Sequence, residues 1–148
     1  MINVRQGDLL SATGIIVHGC NMRGVMGAGV AKAVKAKWPK VYAAYRHAFD
    51  TKGLSLGEII PVVVADGVIV VNAITQNGTA RYPGEVMVDY PAIATAFLAV
   101  NALAKETGID MVNFPLIGCG LAGGDWDKVA PLISTSLSAG IRTTLWTL

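Results

Sequence analysis

His18-Gly-Cys-Asn-Met-Arg-Gly-Val-Met-Gly-Ala-Gly29 follows an apolar, β-branched run and precedes a helical pattern. Strand, glycine loop and helix in that order expose backbone N–H groups at a helix N-terminus, where they can hold a phosphate. A second stretch of the same kind, Pro115-Leu-Ile-Gly-Cys-Gly-Leu-Ala-Gly-Gly-Asp-Trp126, lies far along the chain. A single glycine loop also serves as an ordinary tight turn. Two matched loops can clamp a diphosphate from opposite sides, so they point to a phosphate-rich small molecule.

Outward from the first loop, the chain alternates strands and helices. Ile2–Arg5 is a short strand ending at Gly7-Asp8, and Gly14–His18 is a buried one. Val30–Lys37 reads as a helix. Pro39 stops it and opens another, through about Thr51. Glu58–Ala65 and Val68–Ile74 are β-branched runs joined by Asp66-Gly67, a hairpin signal. Gln76–Met87 reads as a long loop. Asp89 or Tyr90 caps a helix with Pro91 in its first turn and Gly108 at its end. Met111–Ile117 is the next strand. Asp125 can cap a helix to Ala139, with Gly140 as its stop, and Ile141–Leu148 is the last strand. The pattern predicts one three-layer α/β/α domain over residues 1–148, with a central mixed sheet. Ligands of such sheets bind beyond the carboxyl ends of the strands, where both glycine loops would lie.

Composition agrees with a packed domain. The 148 residues are 53% hydrophobic and 15% charged, which excludes a disordered chain. A net charge of +2 is too small to argue for nucleic acid or an anionic membrane surface. Lys32, Lys35, Lys37, Lys40 and Arg46 cluster, and read as a solvated helix face or as a weak field for an anionic ligand. Cys20 and Cys119 each sit in a glycine loop and do not form a secreted disulfide framework. With no signal peptide and no apolar run of bilayer length, a cytoplasmic protein is expected, with no membrane contact and no cofactor. No Cys/His cluster has zinc spacing.

Neither loop fits the nucleotide fingerprints. Gly-x-x-x-x-Gly-Lys-Ser/Thr is absent, and Gly24-x-x-Gly27-x-Gly29 has the wrong order for a dinucleotide site. The chain instead resembles the macrodomains, the ADP-ribose-binding family. It is most similar to the branch that includes the terminal ADP-ribose protein glycohydrolase and bacterial DNA ADP-ribosyl glycohydrolases. The matching pieces are Gly7-Asp8-Leu9, Val17-His-Gly-Cys-Asn21, Met26-Gly-Ala-Gly-Val-Ala31, Asn72-Ala-Ile-Thr75, Pro115-Leu-Ile-Gly-Cys-Gly-Leu121 with Trp126, and Leu145-Trp-Thr-Leu148. They occur in the family's order across the whole chain.

The resemblance implies roles. Asp8, with Leu9 beside it, matches the adenine-reading aspartate; the plainer reading of Asp8 is a turn residue. Asn21 matches the asparagine that bonds the distal ribose. Gly27, Ala28, Gly29 and Val30 would lie against the distal ribose and phosphate, and Gly118, Cys119, Gly120, Leu121, Ala122 and Gly123 would form the second wall. Trp146 lies near the family's C-terminal aromatic, close to the adenine, though strand alternation could equally bury it. Tyr82 or Tyr90 could line the distal ribose side. His18 stands where many macrodomains have asparagine. It reads as a hydrogen-bonded strand-end residue, and it is also the best side chain by chemistry for a general base.

One departure bears on mechanism. The branch's glycohydrolases carry a lysine after the Asn72–Thr75 strand, where an amine can form an imine with the opened ribose. This chain has Gln76 there, and Arg81 is the only basic residue between Ile74 and Tyr90. The human-type enzyme also has an aspartate directly after Gly-Cys-Gly-Leu; here that position is Ala122, with Asp125 three residues on. Asp125 could reach the distal ribose or cap the helix. With Asn21 and His18 it completes the set of candidate catalytic residues. A binder of some other nucleotide is a third reading, which the Asp8 match argues against, and two functions stand ahead of it. One is hydrolysis of an ADP-ribose derivative, an ADP-ribose-1″-phosphate phosphatase or an ADP-ribosyl ester hydrolase. The other is a reader that holds ADP-ribose or an ADP-ribosylated partner without turnover.

Overall fold

The computed structural model describes residues 2–78, 86–119 and 122–148. Six strands form one mixed sheet: β1 (Ile2–Gln6), β2 (Gly14–Asn21), β3 (Ile59–Ala65), β4 (Val68–Gln76), β5 (Met111–Phe114) and β6 (Arg142–Thr147). Their order across the sheet is β1-β6-β5-β2-β4-β3. All neighbours are parallel except β3 and β4, the hairpin that turns at Asp66-Gly67. β3 is an edge strand. Its Pro61 pairs with Val71, and its Val63 is exposed.

Helices cover both faces, as the three-layer reading expects. On one side α3 (Tyr90–Thr107) and α4 (Trp126–Ser136) close a core of Ile15, Val17, Val71, Phe97, Phe114 and Ile133. On the other, α1 (Gly29–Lys37) and α2 (Pro39–Lys52) bring Val34 and Val41 onto Ile16 and Val70. Tyr45 and Ala48 of α2 pack with Cys20 and Ile74. Alternation along β2 and β4 thus serves two cores, and both strands read as continuous apolar runs because both faces are buried.

Local chemistry sets the ends. Asp89 caps α3 by accepting from Ala92 N at 2.9 Å, and Pro91 sits in the first turn, where no N–H is needed. β5 is shorter than Met111–Ile117 because Pro115 has no N–H for a ladder flanked on both sides. Leu116 and Ile117 therefore leave the sheet in a turn closed by Ile117 N on Pro115 O. α4 ends at Ser136, short of Ala139, since Ser138 N donates to Asn101 Oδ1 of α3. A 3-10 turn, Leu9–Ser11, follows β1. Among the described residues no helix is long and apolar enough to cross a membrane.

Candidate functional site

Where β2, β4 and β5 end, a cavity of about 640 Å³ opens, within the range that holds a small molecule. One wall is Asn21 and the loop Val25–Ala28, continuing into the first turn of α1 at Gly29, Val30 and Ala31. The opposite wall is Pro115–Cys119 with Ala122. Gly19, Cys20 and Gln76 complete the lining. The two glycine-rich stretches therefore face one space, brought together because β2 and β5 are adjacent and parallel.

The first turn of α1 is chemically unfilled. Its N-cap is Ala28, in extended backbone with no side-chain cap. The leading N–H groups of the helix thus lack the usual acceptor, and the residues that carry them line the cavity. Glycine is suited to position 29, where φ is +59°. Gly118 has φ +75°, and a Cβ there would stand 2.7 Å from Val88 Cγ2. The second loop closes through Gly124 N on Gly118 O at 2.7 Å, and Ala122 O accepts from Met87 N at 2.8 Å.

Asn21 is held from several directions. Its Oδ1 accepts from Arg23 N at 2.9 Å, its Nδ2 donates to Val25 O at 3.0 Å, and the one hydrogen of the Tyr45 hydroxyl is shared between Asn21 O at 2.7 Å and Asn21 Oδ1 at 2.8 Å. An amide nitrogen carries two hydrogens, so one remains for a ligand. Tyr45, fully buried on α2, also accepts from Gly24 N at 3.1 Å. One hydroxyl thereby ties Asn21 to the glycine loop, and burial pushes that phenol's pKa up. Tyr45→Phe removes it while keeping the ring. We expect a loss of about 1–3 kcal/mol in urea unfolding, because Gly24 N–H loses its buried acceptor and Asn21 loses the hydroxyl hydrogen shared by its O and Oδ1. Unchanged stability would show the hydroxyl to be dispensable.

The remaining expected residues lie elsewhere. His18 is fully buried and faces α2, since alternation along β2 puts it on the side opposite Val17. Its Nε2 stands 2.6 Å from Asn72 Oδ1. Asn72 Nδ2 donates to Val41 O and Ile60 O, which makes Oδ1 the acceptor and places the imidazole proton on Nε2. Burial lowers the His18 pKa to about 4, with the Asn72 bond acting weakly the other way. A ring outside the cavity lining does not reach a proton there, as a general base must.

Asp125 is exposed and caps α4, accepting from Asp127 N at 2.9 Å, while its own N–H donates to the Tyr90 hydroxyl. It does not line the cavity. Asp8 caps the 3-10 turn through Leu10 N at 3.0 Å, and Leu9 is buried beneath. Trp146 is buried, donates to Asn113 Oδ1 at 2.8 Å and lies against Gly7 and the Arg5 guanidinium. Asp8, Leu9, Gly123 and Trp146 are not in the cavity lining. Gln76 is, with Nε2 donating to Gly78 O. Gly120, Leu121, Arg81 and Tyr82 lie outside the described residues. Sequence reasoning missed Leu116 and Ile117, which read as strand, and Val25 and Met26, whose only signal was their place inside the first loop.

Comparison with known proteins fits this geometry. The Macro domain family matches residues 17–133. A macrodomain protein from Streptomyces coelicolor is 35% identical, with a TM-score of 0.85 over 100% of this chain and 99% of that one. The DNA ADP-ribosyl glycohydrolase of Mycobacterium tuberculosis is 30% identical over 87% of this chain. The ADP-ribose 1″-phosphate phosphatase of Scheffersomyces stipitis is 26% identical over 90% of it. The chain spans 93% of that phosphatase but only 36% of the mycobacterial protein and 39% of a longer relative from Thermosipho africanus.

Proposed function

The chain belongs to the macrodomain family, and from that premise we propose that its cavity binds ADP-ribose and hydrolyses ADP-ribose-1″-phosphate. The observation that carries this reading is the uncapped first turn of α1, which faces the second glycine loop across a cavity of small-molecule size. A diphosphate between the two walls would accept from those N–H groups and meet the positive end of the helix. The free hydrogen of Asn21 Nδ2 would hold the distal ribose. N–H groups around Gly27–Gly29 would stabilise charge building on the terminal phosphate. Water attacks its phosphorus, and the bond from phosphorus to the C1″ oxygen breaks. Phosphate leaves, and the proton released passes to the oxygen retained by ADP-ribose. Positioning supplies much of such an acceleration. Asp8, which does not line the cavity, would read the adenine where the ligand extends beyond it.

One observation favours the reader instead. Among the described residues, the cavity lining holds no His, Asp, Glu, Lys or Arg. Burial raises the pKa of both its thiols, Cys20 and Cys119, and the charge of Asp125 adds to the rise at Cys119. Calorimetry and phosphate release together decide. We expect one ADP-ribose per chain, bound at least about tenfold more tightly than ADP, a gap of about 1.4 kcal/mol. We also expect slow release of phosphate from ADP-ribose-1″-phosphate. Binding without release leaves the reader; equal affinity for ADP and ADP-ribose removes both.

A further inference from the structure

Alternate residues of β6, Arg142, Thr144 and Trp146, face one side of the sheet, and the parallel register sets Met111 and Asn113 of β5 and Arg5 of β1 beside them. Trp146 packs there with Ile16 and Val34, so this is the side that α1 and α2 cover. The two helices pack against β2, β4 and β3. Over β5, β6 and β1 the same side carries a hollow of about 300 Å³, at the lower end of the range of small-molecule sites. It extends to the amino ends of the strands, since Arg142 opens β6, Met111 opens β5 and Thr13 directly precedes β2. No residue lines both this hollow and the cavity between the glycine loops.

The floor of the hollow is already bonded. Trp146 Nε1 donates to Asn113 Oδ1 at 2.8 Å, and Asn113 Nδ2 spends both its hydrogens on Thr13 O and Ile15 O. The walls hold the donors. Arg5 and Arg142 both line the hollow, Thr13 and Thr144 add two hydroxyls, and the lining contains no Asp or Glu. The ion pairs among the described residues are Arg46–Asp50 and Lys52–Glu58, so neither of these guanidiniums has a carboxylate partner there. The Arg5 guanidinium rests 4.6 Å from the Trp146 ring, a contact that holds it while using none of its N–H groups. Two guanidiniums around one hollow repel each other, and no carboxylate in the lining offsets that repulsion.

We propose that this hollow binds a phosphate dianion, free or as the terminal group of a small phosphomonoester. Its charge matches the two arginines, and its three terminal oxygens suit two guanidinium forks with a hydroxyl between them. A single carboxylate would satisfy one fork and leave the other unpaired. The site is independent of the ADP-ribose reading, because it shares no lining residue with that cavity.

The test is an amide NMR titration of the full chain with inorganic phosphate and with glucose 6-phosphate, at constant ionic strength. Saturable shifts are expected at the amides of Arg5, Thr13, Arg142 and Thr144, and the tighter of the two probes names the source of the phosphate. Shifts at residues 27–31 report the other cavity and are fitted apart. Joint Arg5→Gln and Arg142→Gln should weaken binding at the hollow at least about tenfold while leaving residues 27–31 as they were. Arg142→Gln alone keeps the Arg5–Trp146 contact and should give part of that loss. Urea unfolding checks that both variants are folded. A response around Arg142 that saturates with neither probe would overturn the proposal. So would saturation that the joint variant leaves unchanged, or succinate binding as tightly as phosphate, which would mark a carboxylate site.

Discussion

Gly27→Glu is expected to abolish ADP-ribose binding while leaving the fold in place. A Cβ built on Gly27 meets no heavy atom within 4 Å, and Gly27 is not among the glycines with positive φ. The backbone therefore accepts a side chain without strain. That side chain enters a cavity wall beside the first turn of α1, whose N–H groups have no cap. A carboxylate there would satisfy the helix terminus itself and repel a diphosphate at close range. The expected loss is at least about a hundredfold, near 2.7 kcal/mol. Gly27→Ala is the control and should bind within a few-fold of the unaltered chain. Calorimetry reads both. A Glu variant with near-normal affinity would mean that the diphosphate sits elsewhere.

The second large effect is on stability. His18 is buried with its pKa near 4, against about 6.5 in an unfolded chain. Below pH 6.5 the unfolded state takes up a proton that the folded state refuses. Stability is then lost as pH falls from 6.5 towards 4, at up to about 1.4 kcal/mol per pH unit and about 3 kcal/mol in all. Above pH 7 this residue contributes no pH dependence. His18→Gln keeps an amide that can donate to Asn72 Oδ1 and removes the titration. Urea unfolding from pH 4 to 8 should show the difference in stability between the two proteins changing by about that amount. His47 is exposed and present in both, as are the carboxylates, so they cancel in the difference. Parallel pH profiles would show that His18 is protonated in the folded protein too.

Legibility in the sequence followed the range of the interactions. Asp66-Gly67, Asp89-Tyr-Pro91 and Gly108 act within a few residues, and the hairpin and α3 follow from them directly. The two glycine loops were legible as a pair because each carries its chemistry in its own backbone. Leu116 and Ile117 read as strand, since their β-branched and apolar character outweighs, residue by residue, what Pro115 does to a parallel ladder. The side of the sheet a residue faces depends on parity, and His18 is one position from either face. Nothing local assigns it to α2 until Asn72 and Val41 are in place. The Tyr45–Asn21 tie is a tertiary contact between a helix and a strand end, and neither residue announces the other. Trp146 was open between adenine and core for the same reason, and its bond to Asn113 puts it inside.

The position of Pro61 has a consequence for how copies of the chain meet. β3 ends the sheet, and exposed Val63 offers apolar surface to anything arriving alongside. A strand added there would extend the sheet outward, the first step of edge-to-edge growth. Ile74 N donates to Glu58 O at 2.9 Å, and the alternation of an antiparallel ladder then turns the backbone of Pro61 outward, so its missing N–H leaves a gap on the outer row. An incoming strand forfeits a hydrogen bond in mid-edge, about 1 kcal/mol, and meets a rigid ring where it needs a donor. A residue in the outer strand of the hairpin thus discourages polymerisation of a chain that is more than half hydrophobic.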